Sequence, residues 1–84
     1  MNIAHTLKFD ALEAKFILNG KFPVKPSLDV DRFAKMATAP GVTYRRQGDD
    51  VHFHAIYPGY ITRDNAECRT AQLITLIRSN LRAV

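Results

Sequence analysis

The stretch VTYRRQGDDVHFHAIY, residues 42–57, decides the fold of this 84-residue chain. Polar and apolar side chains alternate in two runs around a polar centre that contains Gly48, a pattern typical of a β-hairpin. Side chains of a strand alternate between its two faces. One face is therefore predicted to hold Val42, Tyr44, Arg46, Val51, Phe53, Ala55 and Tyr57. The opposite face is predicted to hold Thr43, Arg45, His52 and His54. We expect flanking helices to cover the apolar face.

The segment before the hairpin is predicted to begin with a short helix over about 10–19. Asp10 and Glu13 have the spacing of a helix-capping pair. The run from Ala11 to Lys15 consists of residues that favour a helix. Asn19-Gly20 is typical of a helix end. The alternative treats residues 15–24 as a second hairpin, with a type I′ turn at Asn19-Gly20.

Two further helices are predicted on either side of the hairpin. Ser27 is expected to cap a second short helix that runs to about Thr38. The third helix, over about 63–82, is expected to start near Thr62 or Asp64 and to carry the widest apolar stripe. This stripe consists of Leu73, Ile74, Leu76, Ile77 and Leu81. The sequence therefore predicts an α+β fold with two short N-terminal helices, a β-hairpin over about 42–57 and a longer C-terminal helix.

The order of these predicted elements resembles the winged-helix arrangement, in which a recognition helix precedes a two-stranded wing. The resemblance covers VDRFAKM at residues 30–36 and GVTYRRQG at residues 41–48. It departs from the pattern between Gly20 and Ser27, because that segment is too short for the usual intermediate helix. We therefore assign no family from the sequence.

The composition is that of a small folded domain, and residues 1–84 are predicted to form one domain. Lysine and arginine number 12 against 8 aspartate and glutamate, which gives a net charge of +4. This excess is compatible with an anionic partner. A single cysteine, Cys68, excludes an internal disulfide. No signal-peptide pattern and no membrane-length apolar run occurs, so we expect a cytoplasmic protein without membrane contact.

The sequence offers weak candidates for chemistry. His52 and His54 share a strand face, but zinc would need further ligands, and only His5 and Cys68 are available. Asp49-Asp50 lies at the predicted hairpin tip, where aspartate is a common turn residue. We therefore predict no metal, no cofactor and no enzymatic activity.

The expected function is a small binding or regulatory module, with nucleic acid favoured slightly over protein as the partner. The residues predicted to bind a partner are Tyr44, Arg45, Arg46, Arg78 and Arg82. They are an aromatic–arginine run on one strand and an i,i+4 arginine pair on the last helix. The alternative is an interaction or inhibitor protein that acts through the hairpin edge or the C-terminal helix. A homodimer through the C-terminal helix is a further expectation.

Overall fold

The computed structural model describes residues 3–83 of the chain, with side chains for residues 3–82. The fold is α+β and consists of a four-stranded antiparallel sheet and two helices. In chain order the elements are β1 (Ala4–Asp10), β2 (Lys15–Pro23), α1 (Val30–Met36), β3 (Val42–Gln47), β4 (Asp50–Pro58) and α2 (Arg63–Ala83). The strand order across the sheet is β1-β2-β4-β3, so β1 and β3 form its edges.

The hairpin predicted over residues 42–57 is confirmed as β3 and β4. Gln47 pairs with Asp50, which leaves Gly48 and Asp49 as a two-residue turn. Gly48 has a φ of 60°, whereas Asp49 has no positive φ, and this combination is that of a type II′ turn. The alternation is also as predicted, since Val51, Phe53, Ala55 and Tyr57 are all buried.

The prediction of two short N-terminal helices is wrong in its first helix. Residues 4–10 and 15–23 form the hairpin β1–β2 instead, with seven consecutive residue pairs. Asp10 does accept hydrogen bonds from the backbone N–H groups of Leu12 (3.0 Å) and Glu13 (3.4 Å). Those bonds close a turn rather than a helix, because short acidic side chains cap both structures.

The alternative prediction of a hairpin within residues 15–24 is also wrong, because β2 continues through Asn19-Gly20 without a turn. Gly20 pairs with Phe53 of β4, and the Phe53 ring lies where a side chain of residue 20 would be. A Cβ there would overlap that ring and lie 2.8 Å from the carbonyl oxygen of Ala4. Gly20 is therefore a strand residue selected for close packing, as glycine in a strand often is.

The second predicted helix is present but shorter than expected. Its cap is Asp29, whose Oδ1 accepts from the N–H of Arg32 (3.2 Å), and not Ser27. The helix ends at Met36 instead of continuing to Thr38. Its fully buried residue, Phe33, packs on the rings of Phe22 and Tyr44.

The long C-terminal helix is confirmed, with α2 starting one residue after Thr62. Thr62 Oγ1 accepts from the N–H of Asn65 (3.1 Å) and caps the helix. Leu73, Ile74 and Ile77 of the predicted stripe are buried against the sheet. Strands β1 and β2 occupy the place of the first predicted helix, so α1 is the one helix before the β3–β4 hairpin in the described residues, and the winged-helix resemblance does not extend to the fold.

Both helices belong to the same core cluster as the buried residues of the sheet, and so they cover one face of it. We call this the covered face. The register assigns the alternate residues of each strand to the other side, which we call the open face. The open face consists of Ala4, Thr6, Lys8, Asp10, Lys15, Ile17, Asn19, Lys21, Pro23, Thr43, Arg45, Gln47, Asp50, His52, His54, Ile56 and Pro58.

Replacing Gly20 tests the close packing of β2 on β4. We expect Gly20→Ala to lower the free energy of unfolding by about 1–3 kcal/mol, because the added methyl group must displace the Phe53 ring. Urea denaturation of wild type and variant measures the change. Gly48→Ala is a useful comparison, because its Cβ would meet no atom within 4 Å and only its positive φ opposes it. A Gly20→Ala protein as stable as wild type would contradict this packing.

Candidate nucleic-acid interface

The centre of the open face is a shallow depression of about 790 Å³. Its lining comes from all four strands, and small side chains form part of its floor. Ala4, Thr6, Asn19 and Thr43 are the small and uncharged open-face residues at this position. Because small side chains project little from the backbone, an extended ligand can approach the sheet closely here.

Cationic and titratable side chains lie side by side across this depression. Lys21 on β2 pairs with His52 on β4, and His52 pairs in turn with Arg45 on β3. Neighbouring strands are about 4.8 Å apart, so these three side chains form a row across three of the four strands. Lys21 and Arg45 are exposed and His52 is half-buried. The row can contact an anion with donors from three strands.

A second row, parallel to the first, is polar and partly fixed. His54 pairs with Asn19 on one side and with Thr43 on the other. Nδ1 of His54 lies 2.8 Å from Oδ1 of Asn19 and donates to it, which orients the imidazole ring on the sheet. Thr6 extends this row to β1.

The open face carries more basic than acidic residues, and its acidic residues lie at strand ends. Its basic residues are Lys8, Lys15, Lys21 and Arg45, and its acidic residues are Asp10 and Asp50. Lys15 forms an ion pair with Glu13 of the neighbouring turn. Asp10 ends β1 and Asp50 begins β4, so both carboxylates lie at strand ends. Asp50 flanks the row of Lys21, His52 and Arg45 on one side, whereas the row on its other side, Thr6, Asn19, His54 and Thr43, carries no carboxylate.

Two of the residues predicted to bind a partner lie on the covered face and hold the fold together. The Tyr44 hydroxyl donates to the carbonyl oxygen of Ala37 (2.7 Å), and its ring meets Phe33 edge-on with centroids 5.3 Å apart. Burial raises the pKa of Tyr44 to about 12. Arg46 donates to the carbonyl oxygens of Leu28 (2.8 Å) and Lys25 (3.3 Å), which ties β3 to the segment before α1.

The five predicted residues do not form one site. Arg45 alone lies on the open face, on β3. Arg78 and Arg82 are exposed residues of α2, which packs on the covered face. Arg78 lines a groove between α2 and β1, at the opposite edge of the sheet from β3. The structure therefore separates the arginine pair of the helix from the arginine of the hairpin.

Lys8 and Lys21 were missed as candidates because neither was assigned to a strand of the hairpin's sheet. The available signal was the even spacing of Phe16, Leu18 and, after Gly20, Phe22, with Asn19 and Lys21 between the last two apolar residues. It predicts that Lys21 lies on the face opposite to the three apolar side chains. Lys8 follows by the same rule from its pairing with Ile17.

The residues considered as zinc ligands are not brought together. His52 and His54 lie on the open face, whereas His5 pairs with Gly20 and is on the other side of the sheet. Cys68 is an exposed residue of α2. Among residues 3–83, no group of three or more His, Cys, Asp or Glu could hold a metal ion.

Comparisons with known proteins give no family for the chain. No protein-family model matches it, and no curated protein or solved structure is significantly similar to it. Neither helix in the described part of the chain is long and apolar enough to cross a membrane. We therefore infer the function from the surface chemistry.

The Tyr44 hydroxyl predicts a pH dependence of stability. Its pKa is about 12 in the folded protein and 10.0 in the reference state, so the folded state retains the proton longer. The stabilising contribution is complete below pH 10 and is lost as the pH rises toward 12. We expect Tyr44→Phe to flatten the fall in stability over this interval and to lower stability at neutral pH by about 1 kcal/mol.

Tyr60→Phe is the matched control for this measurement, because Tyr60 is 88% exposed. Urea denaturation at several values between pH 7 and pH 12 gives the stability at neutral pH and its fall at high pH. A Tyr44→Phe protein with the same pH profile as Tyr60→Phe would contradict the assignment.

Proposed function

We propose that this protein is a non-enzymatic module that binds single-stranded nucleic acid across the open face of its sheet. The observation that carries the proposal is the row Lys21–His52–Arg45, which crosses an uncovered depression with a floor of small side chains. Lys and Arg supply most contacts to phosphates, and such contacts dominate the affinity of nucleic-acid binding.

The shape of the open face favours a single strand over a duplex. A strand laid across a sheet can contact several neighbouring β-strands at once, as it does in other sheet-based modules. The described part of the chain offers no helix on this side of the sheet that could enter a major groove. An extended ligand that follows the two rows would meet residues from every strand.

The open face also limits how the bases are recognised. Each described Phe and Tyr of the sheet lies on the covered face, so the rings available for stacking are those of His52 and His54. Stacking on two imidazoles adds less than the aromatic platforms of dedicated readers. We therefore expect mainly electrostatic binding with little sequence preference.

Of the residues predicted from the sequence, Arg45 belongs to this proposed interface, together with Lys8, Lys21, His52 and His54. Tyr44 and Arg46 stabilise the fold and do not belong to the proposed interface. The exposed Arg78 and Arg82 of α2 do not belong to the interface either. A cytoplasmic location suits the proposal, since nucleic acid is accessible there and the free thiol of Cys68 would remain reduced.

The test is binding of a fluorescent single strand at increasing salt concentrations, followed by fluorescence anisotropy. Lys21→Ala/Arg45→Ala should weaken binding at low salt and flatten the log–log salt slope by about 1.4, because two phosphate contacts are lost. The matched control is Arg32→Ala/Lys35→Ala, which removes the same two residue types from the exposed surface of α1. The control should bind like wild type.

Three outcomes would count against the proposal. Absence of binding by wild type at low salt would exclude nucleic acid as the partner. Equal weakening by the two double variants would indicate a general effect of net charge and no defined interface. A clear preference for duplex would contradict the single-strand geometry.

An acidic protein partner is the second candidate for the same face. Ile17 pairs with Ile56, which is 42% exposed, and Pro58 lies beside them on β4. This apolar strip is separated from the cationic row by the row of Asn19 and His54, and together with the neighbouring Lys8 and Lys15 it has the composition of a small protein interface. Two results together would indicate an acidic protein partner. Wild type would fail to bind nucleic acid, and Ile56→Ser would abolish the binding of this protein to the acidic partner.

A further inference from the structure

Strand β1 is an edge with few of the features that normally protect an edge. Among residues 3–83 it pairs with β2 alone, in seven consecutive pairs that contain no bulge. It contains no proline, and its charged residues Lys8 and Asp10 both lie on the open face. The other edge, β3, packs on α1 and carries Arg45 and Arg46. Unprotected edge strands are sites of pairing with a further strand.

A groove runs beside β1 on the covered side of the sheet. It has a volume of about 580 Å³ and separates β1 from α2. His5 and Leu7 form its β1 wall, and Ala71, Ile74 and Arg78 are on its α2 wall. The groove remains because α2 does not reach the outer part of β1, where His5 is exposed and Leu7 is half-buried.

The other end of β1 presents an aromatic side chain. Phe9 is 45% exposed, and its ring meets Phe16 edge-on with centroids 5.0 Å apart. It lies on the same side of the strand as His5 and Leu7, since the three residues alternate along β1. One strand therefore carries a protruding aromatic ring near its end and an open groove near its start.

We propose that two copies of this chain associate through antiparallel pairing of β1 with β1 about a two-fold axis at Leu7. In this register Leu7 faces the partner's Leu7, and Phe9 faces the partner's His5. Each Phe9 ring then reaches the mouth of the partner's groove, and the contact occurs twice, as two-fold symmetry requires. The exposed ring and the unfilled groove lie on the same strand, which makes a second copy the fitting occupant.

The charges of the open face favour the same register. Asp10 faces the partner's Ala4, and Ala4 pairs with Lys21 on the neighbouring strand. The small Ala4 side chain leaves Lys21 able to extend over it toward the partner's Asp10. Moving the two-fold axis by one residue, from Leu7 to Lys8, would instead place the Lys8 side chains of the two copies directly opposite each other, which is unfavourable.

The proposed dimer does not depend on nucleic-acid binding. The sequence led us to expect a homodimer through the C-terminal helix, whereas the proposed contact uses β1 and the side of α2 that faces the groove. The apolar stripe of α2 is used by the core, since Leu73, Ile74 and Ile77 are buried there. Pairing of the two β1 strands would give an eight-stranded sheet whose open faces lie on the same side.

Sedimentation equilibrium over a range from low micromolar to several hundred micromolar tests the proposal. Wild type should show a concentration-dependent dimer. Ala71→Arg places a long charged side chain in the groove from an exposed position, and it should weaken dimerisation at least tenfold. The control is Gln72→Arg, which adds the same side chain at an exposed position outside the groove and should dimerise like wild type. Circular dichroism verifies that both variants are folded.

A crosslink tests the register directly. Leu7→Cys in a Cys68→Ser background should oxidise to a covalent dimer, because directly opposed strand residues have Cα atoms about 4.5–5.5 Å apart. Thr43→Cys on β3, in the same background, should remain largely monomeric. A wild type that is monomeric throughout the range would overturn the proposal. So would Ala71→Arg dimerising like Gln72→Arg, or crosslinking that is equal at the two edges.

Discussion

The close approach of the Phe53 ring to Gly20 is the contact on which the rest of the structure depends. It joins the two central strands, β2 and β4, which are separated by about thirty residues of chain and belong to different hairpins. From there the aromatic packing continues outward: Phe53 to Phe22 with centroids 6.0 Å apart, and Phe22 to Phe33 of α1 at 5.6 Å. The sheet and the short helix are thus held together through rings that all lie on the covered face. A larger residue at position 20 would force the two hairpins apart at their centre.

The hairpin and the long helix could be predicted from the sequence because their signals are local. Residues 42–57 alternate around Gly48, and the stripe from Leu73 to Leu81 has helical spacing, so no distant partner is needed to identify either element. The first hairpin could not be identified in this way. Asp10 hydrogen-bonds to Leu12 and Glu13 in a pattern shared by helix starts and turns, and the pairing of β2 with β4 is what selects the strand. Helix propensity is a weak preference that such tertiary pairing overrides.

In the candidate site, too, only the features with a local sequence signal could be predicted. Arg45 could be placed on the exposed side of the hairpin from the alternation alone, and the structure places it there. Lys21 could not be grouped with Arg45 from the sequence, because the pairing of β2 with β4 is what places the two residues in one row on either side of His52. Tyr44 and Arg46 look like ligand-binding residues in a linear sequence, yet their hydrogen bonds are to Ala37, Lys25 and Leu28. A polar side chain on a covered face is often used to hold a connecting segment whose backbone carbonyls need donors.

The central claim is that the face left free by this one-sided core is the binding surface, and a nuclear magnetic resonance titration tests it most directly. A short single-stranded oligonucleotide would be added to ¹⁵N-labelled protein, and shifts of backbone amides and histidine ring signals would be mapped on the structure. We predict the largest shifts at Thr43, Arg45, His52 and His54, with little change along the exposed surface of α2. Shifts concentrated at Arg78 and Arg82, or none at any residue, would contradict it.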